Sequence, residues 1–154
     1  MTCPFEFPIP QCDDAVEDID PDARFFIAID MDSGYWQIVA EPEARARLAF
    51  FTPEGKKWWM VMPMGALNLA PIFVAMMLAL QQKWDHLAEE HGIERCGSKV
   101  IVDDMLVFGR DLDSLLQYFR VVLEVLKHHR TMIKLQKCKW FWDQVNGFHC
   151  MSWR

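Results

Sequence analysis

No run of 18 apolar residues occurs in the 154-residue chain, so no helical membrane span is expected. The opening Met1-Thr2-Cys3-Pro4-Phe5-Glu6 lacks the basic and apolar stretches of a secretory leader, and none is expected. The five cysteines form no C-x-x-C pair and are odd in number, which argues against a structural zinc and predicts reduced thiols inside a cell. Positive charge is also short. A formal net charge of −6 is the wrong sign for a protein that binds nucleic acid unaided, so such a role would need basic surface from further segments. Internal repeats and low-complexity tracts are missing. What is present is an apolar fraction of 52%, enough to build the core of one domain and too high for a disordered chain.

The stretch that organises the rest is Lys99-Val100-Ile101-Val102-Asp103-Asp104-Met105-Leu106-Val107-Phe108. Apolar and β-branched residues flank two adjacent aspartates, which predicts a β-hairpin with a two-carboxylate tip. Asp at a hairpin tip has a structural use, bonding turn amides. It also has a chemical one. Phe25-Phe26-Ile27-Ala28-Ile29 reads as a buried strand ending in Asp30, and three carboxylates at strand ends suit a hard divalent ion such as Mg²⁺.

In chain order, the prolines at 4, 8 and 10 forbid regular structure, a short helix is possible over 13–19, and the acids between Asp13 and Asp22 read as a solvated run. Strands are expected at 24–30, 35–39, 47–51 and 57–62, with Thr52-Pro53-Glu54-Gly55 turning the last two into a hairpin. Pro71 suits a first helical turn; beyond it Phe73, Met76, Met77, Leu80, Trp84 and Leu87 fall at helical spacing, and Gly92 marks the stop. A second amphipathic helix after Asp111 carries Leu112, Leu115, Leu116, Phe119, Val122, Leu123 and Leu126. His128 and His129 near its end suit the helix dipole. A further strand is expected in the tail. The order β, β, β-β, α, β-hairpin, α, β predicts an α+β fold, an antiparallel sheet with two helices on one face, of the split βαβ type.

Four ordered segments resemble the palm of reverse transcriptases from gypsy-like LTR retrotransposons and, more distantly, retroviruses. Asp30-Met31-Asp32-Ser33-Gly34-Tyr35-Trp36-Gln37-Ile38 looks like D-x-x-S-G-Y-x-Q-I, and 61–73 resembles V-M-P-F-G-L-x-N-A-P-x-x-F. Val102-Asp103-Asp104 matches the end of Y-x-D-D, and Lys137-Cys138-Lys139-Trp140 is similar to K-C-x-F. Phe7-Pro8-Ile9-Pro10 with Asp13-Asp14 resembles a P-x-P-x-x-D-D lead-in. The resemblance implies a palm-type sheet with partial fingers: residues 1–23 lead in, 24–154 form one domain, and thumb and RNase H domains are absent after Arg154.

It also implies an RNA-directed DNA polymerase. Asp30, Asp103 and Asp104 would hold two Mg²⁺ (or Mn²⁺) ions for transfer of deoxynucleoside triphosphates (dNTPs) onto a primer 3′-hydroxyl. Tyr35 would exclude the ribose 2′-hydroxyl. Gln37, Met64, Gly65, Asn68 and Pro71 would shape the nucleotide and template pocket, Gly65 allowing close backbone approach, and Lys137 is a candidate for protonating pyrophosphate. The implied partners are an RNA or DNA template with primer, dNTPs, and the fingers, thumb and RNase H of the same polyprotein, in cytoplasmic particles or the nucleus, with no membrane. Departures from the pattern are Ile101 for Tyr, Met64 for Phe, one extra residue in 66–71, and Phe148-His149-Cys150 where the family has F-L-G. Other readings are a catalytically inert remnant that keeps the architecture and a haloacid dehalogenase-like phosphatase, whose fold needs alternating βα units. An EF-hand on Asp30, Asp32 and Glu41 fails on the position of Gly34.

Overall fold

A computed structural model describes residues 5, 7, 8, 18–102 and 104–142 of the protein. Aromatic and β-branched residues make β1 (Phe25–Asp30), and the hairpin forms β4 (Cys96–Ile101) and β5 (Asp104–Gly109). With β6 (Lys139–Trp142) they build a four-stranded sheet in the order β4-β5-β1-β6, with every pairing antiparallel. The phosphatase alternative falls here, because alternating βα units would give parallel neighbours.

Strand alternation gives the sheet two different faces. Ile27 and Ile29 of β1, Met105 and Val107 of β5, and Val100 of β4 join the main core. That core is completed by two long helices, α2 (Leu69–Glu90) and α3 (Leu112–His128), whose buried residues include Phe73, Met77, Trp84, Val122 and Leu126. On the other face, among the described residues, Phe26, Leu106 and Phe108 cluster with Ile19, with Ala23 and Ala28 beside them. The expected α+β layering, two helices on one face of an antiparallel sheet, is what forms.

Helix ends follow their capping chemistry. Gly92 takes φ +68 after α2; its N–H donates to the Glu89 carbonyl and that of Ile93 to Ala88, a Schellman closure. The Asp111 carboxylate caps α3 by accepting from the Ser114 N–H at 2.8 Å, which lowers its pKa. In α3 Leu115, Phe119, Val122 and Leu126 of the expected stripe are buried, and the buried face differs at its edges. Leu112 and Leu123 are exposed, whereas Tyr118, Val121 and Val125 are buried. A tyrosine faces inward because its hydroxyl has partners there. It donates to the Asp85 carboxylate and lies 3.1 Å from Ser98 Oγ, which also accepts from Trp84 Nε1 at 2.9 Å, while Gln81 Nε2 donates to the Ser98 carbonyl at 2.7 Å.

Other expectations shift. The strand expected at 35–39 is a 3₁₀ turn, Gly34–Gln37, and a short α1 (Pro42–Arg45) precedes the ribbon of β2 (Ala49–Thr52) and β3 (Gly55–Trp58). That ribbon is the expected hairpin, ended early: its register runs from Ala49↔Trp58 to Thr52↔Gly55. The acidic lead-in is not simply solvated. Arg110 forks onto Asp20 at 2.7 and 3.0 Å and reaches Asp22 at 3.0 Å, and Lys99 bonds Asp18 at 2.9 Å. Residues 13–17 of the possible helix, and the lead-in residues 9–14, lie outside the described residues.

Tyr118→Phe should destabilise the fold by about 1–3 kcal/mol in urea unfolding, since Asp85 and Ser98 lose a partner inside the protein. Burial raises the Asp85 carboxyl above its ordinary 3.8, the Tyr118 hydrogen bond partly opposing this. The native state therefore holds this proton more tightly than the unfolded chain. That stabilisation is fully present below the unfolded value and is lost as pH rises through the folded one. Asp85→Asn, which keeps an acceptor for Tyr118, should flatten that part of the stability–pH profile.

Candidate active site

The β1–β5 register makes Asp30 and Asp104 direct partners across neighbouring strands. Counting by twos from Ala28 and Leu106 places both on the face turned away from the helices. Opposed residues in an antiparallel pair have Cβ atoms about 4.5–5.5 Å apart, so two like charges there repel. Ile101 pairs with Asp104, leaving two positions to join β4 to β5. The first, Val102, has φ 53, the sign that tight two-residue hairpins require, at a cost of about 1–3 kcal/mol for a non-glycine residue. Asp103, the expected second metal ligand, lies outside the described residues.

A cation already meets one acid of this pair, Asp30. Lys137 Nζ donates to Asp30 Oδ2 at 3.3 Å, and the Lys134 N–H donates to the Asp30 carbonyl at 2.8 Å. The Cys138 thiol is buried next to them and its pKa is raised by that burial.

The turn after Asp30 is shaped by packing. Ser33 is left-handed at φ 51, and a Cβ on Gly34 would lie 2.7 Å from the Phe73 ring. Close approach to α2 therefore replaces the expected strand by a 3₁₀ turn. Tyr35 packs edge-on against Phe73, centroids 5.2 Å apart at 74°. Gln37 spends its carboxamide on backbone: Nε2 donates to the carbonyls of Asp32 (2.6 Å) and Met132 (2.8 Å), and Oε1 accepts from the Met132 N–H (2.8 Å).

The remaining candidates lie on the loop entering α2. Met64 is exposed, Asn68 Oδ1 accepts from the Phe5 N–H at 3.0 Å, and Pro71 stands in the first turn of α2. Gly65 has φ +84 with open space where a Cβ would point, so its backbone conformation is what requires glycine. Thus Asp30 stands opposite Asp104 and bonds Lys137, and Tyr35 reaches α2 through Phe73. Among the described residues no group of three or more His, Cys, Asp or Glu could hold a metal. Asp30 and Asp104 are nevertheless hard oxygen donors on one face, the chemistry a Mg²⁺ ion takes.

A family model described as reverse transcriptase (RNA-dependent DNA polymerase) matches residues 3–150. The chain belongs to the reverse transcriptase family. It is 29% identical over 145 residues to the retrovirus-related Pol polyprotein from transposon opus of Drosophila melanogaster, covering 94% of this chain and 14% of that protein. It is 28% identical over 123 residues to the enzymatic polyprotein of Cauliflower mosaic virus (strain D/H), covering 80% and 17%. The native prototype foamy virus protease-reverse transcriptase superposes with a TM-score of 0.70 at 21% identity, over 89% of this chain and 17% of that one, which shows a shared fold. The chain thus spans less than a fifth of each of these relatives.

Within this reverse transcriptase domain, sequence reasoning missed the backbone role of Gln37 and the contact of Phe73 with Gly34. The signal for Gly34 was available, since a glycine beside two aromatics in a strand-like run points to close approach. No helix among the described residues is long and apolar enough to cross a membrane. Gly34→Ala should destabilise the domain by about 1–3 kcal/mol in chemical unfolding, because the Phe73 ring must move out of the core. An unchanged midpoint would mean that the ring yields freely.

Proposed function

We propose that this domain is the catalytic palm of an RNA-directed DNA polymerase encoded in a gypsy-like LTR retrotransposon polyprotein. Residues 24–154 form the palm-type domain and 1–23 lead into it; fingers, thumb and RNase H belong to the rest of the polyprotein. The observation that carries this reading is the direct opposition of Asp30 and Asp104 on the open face of the sheet. The transposon opus and 297 Pol polyproteins among the relatives support the element type. A cytoplasmic particle or the nucleus suits such an element.

Asp30 and Asp103, with Asp104 completing the carboxylate cluster, would hold two Mg²⁺ (or Mn²⁺) ions, which would supply charge neutralisation and lower the pKa of a primer 3′-hydroxyl. Asp30 sits at the end of a packed strand, so its carboxylate is held in place before substrate arrives. Tyr35, braced by Phe73, presents its ring where a sugar would lie and excludes a 2′-hydroxyl by contact. Met64, Gly65, Asn68 and Pro71 shape the loop beside the nucleotide. Lys137 places an ammonium beside Asp30, within reach of a departing pyrophosphate. A foamy viral protease-reverse transcriptase is described in complex with an RNA/DNA hybrid. A primer–template of that kind is the partner proposed here.

Primer extension by the polyprotein-length enzyme, titrated with Mg²⁺ or Mn²⁺, tests this reading. Asp103→Asn should abolish extension with both sugar types. Tyr35→Val should raise ribonucleotide use relative to deoxyribonucleotide use by about tenfold or more, the scale of one removed contact clash. An unaltered sugar ratio in an active Tyr35→Val enzyme would remove Tyr35 from the gate, and extension surviving Asp103→Asn would remove the metal site.

A further inference from the structure

We infer that Gln37 is a positioning residue: its carboxamide fastens the 131–138 segment to the turn after Asp30 and so holds Lys137 against the Asp30 carboxylate. The segment has little structure of its own. Its backbone meets the end of β1 and the turn after it through the bridge Met31↔Ile133 and two bonds, Asp32 N–H to the Met132 carbonyl (3.0 Å) and Lys134 N–H to the Asp30 carbonyl (2.8 Å), while Ile133 and Cys138 pack against the core. Gln37 adds three bonds from one planar amide: two reach Met132 across 95 positions of sequence, one as donor and one as acceptor, and the third donates to the Asp32 carbonyl of its own turn. A side chain that donates and accepts at the same residue fixes that residue in register as well as in place.

Lys137 rides on what Gln37 fixes. Its own N–H and that of Cys138 both bond the Lys134 carbonyl, at 2.9 and 3.2 Å, closing a turn that moves with Lys134. Lys134 in turn is bonded to Asp30. One end of this short unit is held by Gln37, and the other delivers an ammonium to Asp30 Oδ2 at 3.3 Å. An ammonium there competes with a divalent ion for the same oxygen. Gln37 therefore sets metal affinity at Asp30 without touching the metal, a consequence that rests on the polymerase reading above.

The test combines amide hydrogen exchange with Mn²⁺ calorimetry on the full chain. Gln37→Ala should speed exchange at Asp32, Met132 and Lys134 by about tenfold, as expected when a local clamp opens. Gln37→Glu should do the same, because it keeps the acceptor and loses both donors. Lys137→Ala should tighten Mn²⁺ binding by about threefold or more, Gln37→Ala should shift it the same way, and the double variant should match Lys137→Ala alone. Unchanged exchange at Lys134, or metal effects that simply add, would overturn the inference. If the unaltered chain binds no Mn²⁺, the polymerase reading fails while the exchange measurement still decides the clamp. A Gln37 that contacted only substrate would leave exchange unaltered, which also overturns the inference.

Discussion

The pairing of β1 with β5 is the constraint on which the rest depends. In a strand the side-chain period is two, so a slip of one residue would turn Ile27, Ile29, Met105 and Val107 out of the helix-covered core. Burial of those residues therefore fixes the register, and the register alone brings Asp30 opposite Asp104. The acidic pair is a by-product of hydrophobic packing. Repulsion between the two carboxylates costs stability, and the well-packed face behind them absorbs it. Lys137 offsets part of that repulsion from the front.

Much of this was readable from residue order. The carboxylate hairpin, the strand ending in Asp30, both long helices and the stop of the first at Gly92 are local signals, written in periodicity and turn chemistry. What escaped was decided at a distance. The run Tyr35-Trp36-Gln37-Ile38-Val39 has strand propensity, but Gly34 must pass beneath Phe73 and Gln37 must reach Met132, so the chain coils instead. Tyr118 turns inward only because Asp85 and Ser98 come from other elements to meet its hydroxyl. The acids of the lead-in find Arg110 and Lys99, far along the chain. Asp103, the residue the hairpin motif points to most strongly, lies outside the described residues.

Stability is distributed unevenly, and the site uses this. The sheet and its two helices form one continuous core, tied further by the Ser98 network. The β2–β3 ribbon is two-stranded and leaves Phe51 82% exposed with Trp58 half exposed, an arrangement that is marginal in isolation. The candidate site lies where the rigid sheet ends and looser segments begin: the 3₁₀ turn, the α2 loop and the 131–138 segment. The strands hold Asp30 and Asp104, the 3₁₀ turn sets Tyr35 against Phe73, and the 131–138 segment brings Lys137 to Asp30. That division suits a centre whose charge is fixed while its surroundings must admit a substrate.

The central claim is that Asp30 and Asp104 form one divalent-ion centre on the open face of the sheet. Paramagnetic broadening by substoichiometric Mn²⁺ in an amide NMR spectrum tests it most directly, because it locates the ion without requiring activity. The account predicts selective broadening of amides around Asp30, Val102 and Asp104, with Ile133 and Lys134 close behind, reversed by excess Mg²⁺ and lost in Asp104→Asn. Broadening centred elsewhere, such as on the acidic lead-in around Asp18 to Asp22, or broadening that survives Asp104→Asn, would contradict it.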